Sequence, residues 1–218
     1  MQNSLKIQEF DGFVKCRSSR GNYLTTCNHF SCEFKNSVYI LQGEIDSGAW
    51  SVPYAISPVY SRKKEDIIIS PEGKFIWNGN RISLEQLQMK TCYLDIWKED
   101  WRDELLRRPV CSIVQKHITK NKISMDCEDI RKMFGIDPYR FKQRITCVGN
   151  EIFQCKAAIG FAQGKEIYSF PWLSSKMMKY YSGHIPELCK TLKSLGKIVL
   201  LPTSYDCSDE KGATIIRM

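Results

Sequence analysis

The sequence predicts an α/β fold: a mixed β-sheet core with an antiparallel β part and a helical insertion. Three observations lead there. Apolar, β-branched runs lie near both ends of the chain, Val38 to Leu41 and Lys197-Ile-Val-Leu-Leu201. Between about 100 and 163 the apolar spacing becomes helical instead. No repeat or low-complexity linker separates these parts, so the helical block reads as an insertion into a sheet rather than a second domain. A chain of 218 residues fits one such domain, with residues 1–97 and 164–218 as its core and 98–163 as the insertion.

In chain order, residues 4–42 read as short strands separated by polar turns, Ser31 to Phe34 and Val38 to Leu41 being the clearest. A short helix is expected over 48–57, interrupted by Pro53 near its first turn, where a missing N–H is tolerated, and closed by Pro58. Two β-rich runs then flank Pro71-Glu-Gly73, and the second ends in Asn78-Gly79; this predicts a hairpin followed by a further tight turn. Residues 90–96 form another short apolar run. Helices are expected at Trp101 to Arg108, Val110 to Thr119, Cys127 to Phe134 and Asn150 to Gln163. A strand follows at Glu166 to Phe170, then a helix over 175–195 ended by Gly196 as its C′ glycine. The buried-type strand Lys197 to Leu201 and a last strand at Thr214 to Arg217 complete the series.

Composition narrows the function classes. Hydrophobic residues at 43% and charged residues at 26% are those of a soluble globular chain. No apolar run approaches the ~18 residues that cross a bilayer, and Met1 to Lys6 lacks the apolar stretch of a signal peptide. A cytoplasmic protein is expected, with any membrane association made through a partner. Ten cysteines are scattered without a C-x-x-C, and the three histidines fall in no zinc-ligand spacing. They read as reduced thiols packed as small apolar groups, and no metal site is expected. The net charge of +8 resides partly in Arg62-Lys-Lys64, Arg107-Arg108 and Lys116 to Lys122. None of these clusters is interleaved with stacking aromatics, so a solvated basic surface is expected and nucleic acid is not.

One segment carries chemistry. Val38 to Leu41 runs into Gly43-Glu-Ile-Asp-Ser-Gly48-Ala49-Trp50-Ser51, a strand, a Gly-rich turn and a short helix. That layout suits an anion cradled by successive backbone N–H groups. The full phosphate-loop pattern is G-x-x-x-x-G-K-[ST], and Gly43 and Gly48 hold its two glycines in register. The lysine that neutralises β/γ-phosphates is replaced by Ala49, and the hydroxyl that holds Mg²⁺ by Trp50. Glu44 and Asp46 add negative charge that repels a polyphosphate.

Over nearly its whole length the chain resembles the ATP-binding cassette (ABC) ATPase domain, in the order and spacing of eroded motifs. The family's G-x-I-x-x-N-G-x-x-I hairpin is matched by Gly73-Lys-Phe-Ile-Trp-Asn-Gly-Asn-Arg-Ile82. The strand that ends in the Q-loop glutamine is matched by Lys90 to Ile96, with Asp95 as the nearest polar residue. The L-S-G-G-E/Q signature is matched by Cys147-Val148-Gly149-Asn150-Glu151. Glu166 to Phe170 falls at the Walker B strand without a gap, and Pro171-Trp172 take the places of the Mg²⁺-anchoring aspartate and the general base. Leu201 to Asp206 matches the terminal T-S/T-H-D, with Tyr205 in the histidine's place. Phe10, Phe13 and Tyr23 are open alternatives for the adenine-stacking aromatic.

The resemblance implies a cassette fold built on a P-loop NTPase-like sheet. It also implies a pseudo-ATPase, with no catalytic residue left and no required cofactor. Phosphoryl transfer depends on positioning and charge neutralisation, and the loop cation, the metal anchor, the base and the histidine are all replaced. Protein partners follow from the same likeness: an ABC-type subunit, a permease or a second copy in a dimer. The alternatives are a subunit that binds ATP without hydrolysing it and a nucleic-acid-associated cassette head.

Overall fold

The computed structural model describes residues 3–18, 21–58, 67–69, 73–95, 107–208 and 212–218, without the side chains of 13–24 and 67–69. The expected helix at Trp101 to Arg108 lies almost wholly outside these residues, as do Arg62-Lys-Lys64 and Pro71-Glu72. So do the side chains of Phe13 and Tyr23.

Two sheets form the core. The parallel sheet has the order β10-β3-β9-β8-β7, from Ala213–Arg217, Val38–Gln42, Ile198–Thr203, Ile167–Ser169 and Thr91–Tyr93. Its inner strands read as continuous apolar runs because both faces are covered; all six residues of β9 are buried. The antiparallel sheet has the order β2-β1-β5-β6, from Gly21–Lys35, Ser4–Ser18, Lys74–Trp77 and Asn80–Ile82, with β4 (Ile67–Ile69) also on β1.

The expected short strands over 4–42 include two strands of fifteen residues, β1 and β2, paired antiparallel. Register shifts between Ile7 and Phe10 and between Phe10 and Gly12 break the alternation and make one long strand read as several. β4 and β5 do not pair across Pro71 to Gly73; each lies against a different stretch of β1, at 12–14 and 5–8 respectively. The expected tight turn at Asn78-Gly79 does form, joining β5 to β6 with both residues at positive φ, as a two-residue hairpin requires.

The helices are α1 (Ser51–Ala55), α2 (Leu84–Lys90), α3 (Val110–Asn121), α4 (Cys127–Met133), α5 (Pro138–Phe141), α6 (Ile152–Ala162), α7 (Ser175–Tyr180) and α8 (Ile185–Ser194). α1 is shorter than the 48–57 expected. Asn150 to Gln163 begins with a 3₁₀ turn (Gly149–Glu151) before α6. The single helix expected over 175–195 is two, α7 and α8, broken around Ser182-Gly183; Gly196, at φ 69°, ends α8 as expected. α2 is an addition to the sequence reading. Ser83 caps it, accepting from Gln86 N–H while the Gln86 side chain accepts from Ser83 N–H.

The two faces of the parallel sheet bury separate cores. One, between the sheets, gathers Leu5, Phe34, Leu41, Trp50, Trp77 and Leu200. The other, beneath α3, α6 and α8, gathers Ile113, Phe153, Ile159, Tyr168, Leu192 and Val199. α6 is buried almost all round, which suits a helix at the centre of a layer. It lies so close to the sheet that a Cβ on Gly160 would stand 2.6 Å from Cys92 Sγ. Nine cysteines are free among the described residues. Burial pushes the Cys155 thiol up to about 12 and the Cys127 thiol up to about 11, so both pack as neutral groups. Among the described residues, no helix is long and apolar enough to cross a membrane, and no cluster of His, Cys, Asp or Glu could hold a metal ion.

Candidate functional site

The candidate site lies where β3, β8 and β9 end together, the edge at which open α/β sheets usually bind ligands. Gly43 leaves β3 with its N–H donating to the Thr203 carbonyl of β9 at 2.9 Å. From β8, Trp172 reaches the same point: its indole N–H donates to the Gly43 carbonyl at 3.1 Å. Thr203 Oγ1 donates to the Leu173 carbonyl at 2.6 Å and accepts from Tyr205 N–H at 3.0 Å. The phosphate-loop, Walker B and terminal-strand positions named from the sequence are therefore brought together. Asp95 stands beyond β7 on the same sheet edge, half-buried and within electrostatic reach of Tyr181.

Inside the loop, amide donors turn inward. Ser47 N–H donates to the Glu44 carbonyl at 3.1 Å, and Ser51 N–H to that of Gly48 at 3.0 Å. Gly48 N–H donates to Thr25 Oγ1 of β2 at 3.2 Å, and Ala49 N–H to Ser47 Oγ at 3.3 Å. The Ser47 and Ser51 hydroxyls donate to the Glu44 and Gly48 carbonyls, both at 2.7 Å. The loop is also pressed against the antiparallel sheet. Gly48 sits at φ 93°, and a Cβ there would stand 2.6 Å from the Thr26 carbonyl. A loop that spends its N–H groups on its own chain has fewer left for an anion. Helix α1, five residues long with Pro53 inside it, adds little dipole.

Around the loop the side chains are aromatic and apolar. Ala49 is fully buried and Trp50 is 5% exposed. The Trp50 indole N–H donates to Tyr93 Oη at 3.2 Å, and its ring lies 5.0 Å from that of Tyr54, which in turn lies 6.0 Å from Tyr93. Trp50 is thus part of the core between the sheets and offers no exposed stacking face. Pro171 is buried, while Trp172 and Tyr205 are half-buried against the two cores. Glu44 and Asp46 are exposed at the loop. Phe10 is fully buried 6.4 Å from Phe75, so it is not available to stack on a base.

The signature positions lie elsewhere. Val148 is fully buried, and Asn150 and Glu151 face the insertion and the α7–α8 connection. Both carboxylate oxygens of Glu151 are in use: Oε2 accepts from Asp137 N–H at 3.0 Å and Oε1 from Arg140 Nη1 at 3.2 Å. No hydrogen bond among the described residues joins this turn to the loop. Sequence reasoning named Ser47 within the loop but missed Thr25, Arg140, Gln154 and His184. Only Asp137-Pro138 signalled anything nearby, as a helix start whose Asp137 carboxylate caps α5.

No protein-family profile matches the sequence, and no curated protein sequence matches it. Solved structures do match. A putative ABC transporter ATP-binding protein from Pyrococcus furiosus aligns with 98% of this chain and 96% of its own length, at 14% identity and a TM-score of 0.60. A dimeric ATP-binding cassette in a post-hydrolysis state, bound to ADP and phosphate, aligns with 98% of this chain and 94% of its own, at 12% identity and a TM-score of 0.62. CbiO1 from Clostridium perfringens, part of the ABC transporter complex CbiONQ, aligns with 93% of this chain and 78% of its own, at 13% identity and a TM-score of 0.54. The chain has the α/β fold of an ATP-binding cassette, with the antiparallel β part and helical block that its sequence predicts and a core sheet whose five strands all run parallel.

Proposed function

We propose that this chain is a cassette that no longer hydrolyses ATP and works by binding protein, as a partner or regulator in an ABC-type assembly. The observation that carries the proposal is the phosphate loop, whose N–H groups at Ser47, Gly48, Ala49 and Ser51 are bonded within the chain. A triphosphate with Mg²⁺ does not fit the residues present. The cation position is a buried methyl group, the metal-hydroxyl position is a buried indole, and the positions after β8 hold Pro171 and Trp172. Glu44 and Asp46 at the loop oppose a polyanion. Each missing part of a phosphoryl-transfer site commonly removes about 3–4 kcal/mol of transition-state stabilisation, so losing several together abolishes turnover.

What remains on such a scaffold is its surface. Two similar structures are a cassette dimer and a subunit of a transporter complex. The partner classes proposed here are accordingly a second cassette, a permease or a second copy of this chain, with any membrane association made through that partner. Nucleic acid is not proposed. Purified chain given ATP and Mg²⁺ is expected to release phosphate at the rate of the buffer blank. Sustained release that scales with protein and survives further purification would overturn the proposal.

A further inference from the structure

The side chains of Arg140 and His184 hold the turn at Val148–Glu151, Gln154 meets the far side of the His184 ring, and their donors and acceptors admit one protonation pattern. Arg140 Nη1, from α5, donates to Asn150 Oδ1 and, at 3.2 Å, to Glu151 Oε1. A guanidinium only donates, so the Asn150 oxygen faces Arg140 and its amide nitrogen faces His184 Nε2, 3.0 Å away. Nε2 must then accept, and a neutral ring carries its hydrogen on Nδ1. Nδ1 lies 2.8 Å from the side-chain amide of Gln154 on α6. The amide oxygen, not the nitrogen, must face that N–H, an exchange that leaves the shape of Gln154 unchanged.

We propose that His184 is a proton-operated latch: neutral, it ties the Gly149–Glu151 turn to the start of α8; protonated, it releases the turn. An imidazolium carries two N–H groups. The second would point from Nε2 at the amino group of Asn150, donor against donor. Asn150 cannot relieve this by turning over, because its amino group would then face the Arg140 guanidinium. A bond is lost either way.

Among the described residues, no carboxylate bonds to the His184 ring to balance the added charge. Glu151 is already shared between Arg140 and Asp137 N–H. The other charged or titratable groups around this network include Cys155, within electrostatic reach of Glu151 and Arg140, Tyr181, whose carbonyl accepts the His184 backbone N–H at 2.9 Å, and Glu187 in the first turn of α8. The released element is the turn itself, where Gly149 at φ 62° has open space around it. A charge change at one ring thus biases an element that joins the insertion to the helices after β8. The inference does not depend on whether the chain binds nucleotide.

The test is hydrogen exchange of the 149–152 amides in the full chain, corrected for intrinsic rate, with His184→Gln and Asn150→Asp beside the wild type. Wild-type exchange is expected to speed up about tenfold between about pH 7.5 and about pH 5.5, and H184Q exchange to stay flat. N150D places a carboxylate that accepts from both Arg140 and the imidazolium, so acid is expected to slow its exchange. Should H184Q fail to fold, the sign in N150D decides. A flat wild type, the same acid response in every variant, or a nitrogen-15 spectrum showing the Nε2–H tautomer in the neutral ring would overturn the latch.

Discussion

Substituting lysine for Ala49, which restores the loop's cation but leaves Trp50 in the hydroxyl's place, is expected to lower stability by about 3 kcal/mol or more and to restore no ATP hydrolysis. Ala49 is fully buried, and its N–H is held by Ser47 Oγ. Its methyl group occupies the space beside Gly43, where even a Cβ on that glycine would come within 3.4 Å. An ammonium brought into this packing either loses its water without a carboxylate to replace it or forces the loop outward to reach solvent. Both outcomes weaken the contacts that hold the loop to β2. For a domain of this size each kcal/mol moves the melting temperature by about 2–4 °C, so a fall of about 6–12 °C is expected. On the proposed function hydrolysis is expected to remain absent, because Pro171 and Trp172 stand at the positions that the resemblance assigns to the metal anchor and the base. A variant as stable as the wild type that releases phosphate would show that the loop alone was limiting.

Trp50→Ala is expected to cost about 3–5 kcal/mol, the range for removing a large aromatic side chain from a packed core. Trp50 fills the space between Tyr54, Tyr93 and the two sheets, and the substitution also removes the N–H that donates to Tyr93 Oη. Trp50→Phe keeps much of the ring packing while losing that donor, about 1 kcal/mol in itself, so it should fall between wild type and alanine. Urea unfolding of the three proteins checks the order. If W50A matched the wild type in stability and gained ATP binding, the indole would be a plug in an otherwise competent pocket, contrary to its role as core.

How far the sequence foretold these features depended on the range of the interactions involved. Val38 to Leu41 and Ile198 to Leu201 were legible because strands buried on both faces are apolar throughout. Asn78-Gly79 was legible because few other pairs adopt two successive positive φ angles. The Ser83–Gln86 capping box was equally present in the letters but starts a helix of only seven residues, too short for apolar periodicity to reveal. β1 and β2 were misread because their register shifts fall between Ile7 and Gly12, which breaks the period-2 signal.

At the site, Ala49 and Trp50 followed from the phosphate-loop pattern, while Pro171, Trp172 and Tyr205 were singled out only through the resemblance to the cassette family. That the loop's amides bond within the chain was not, because Thr25 comes from a strand 23 residues earlier and reaches Gly48 only through tertiary packing. His184 lies 34 residues from Asn150, and no local pattern links them.

The most direct test of the central claim is the melting temperature of the purified chain with and without ATP and Mg²⁺. A nucleotide present at 100 times its dissociation constant stabilises by about 2.7 kcal/mol, which for a domain of this size is about 5–11 °C. At about 5 mM ATP any affinity of about 50 μM or tighter would therefore be visible. An unchanged melting temperature is the predicted result. A rise of several degrees that requires both nucleotide and Mg²⁺ would contradict a loop that has turned its donors inward.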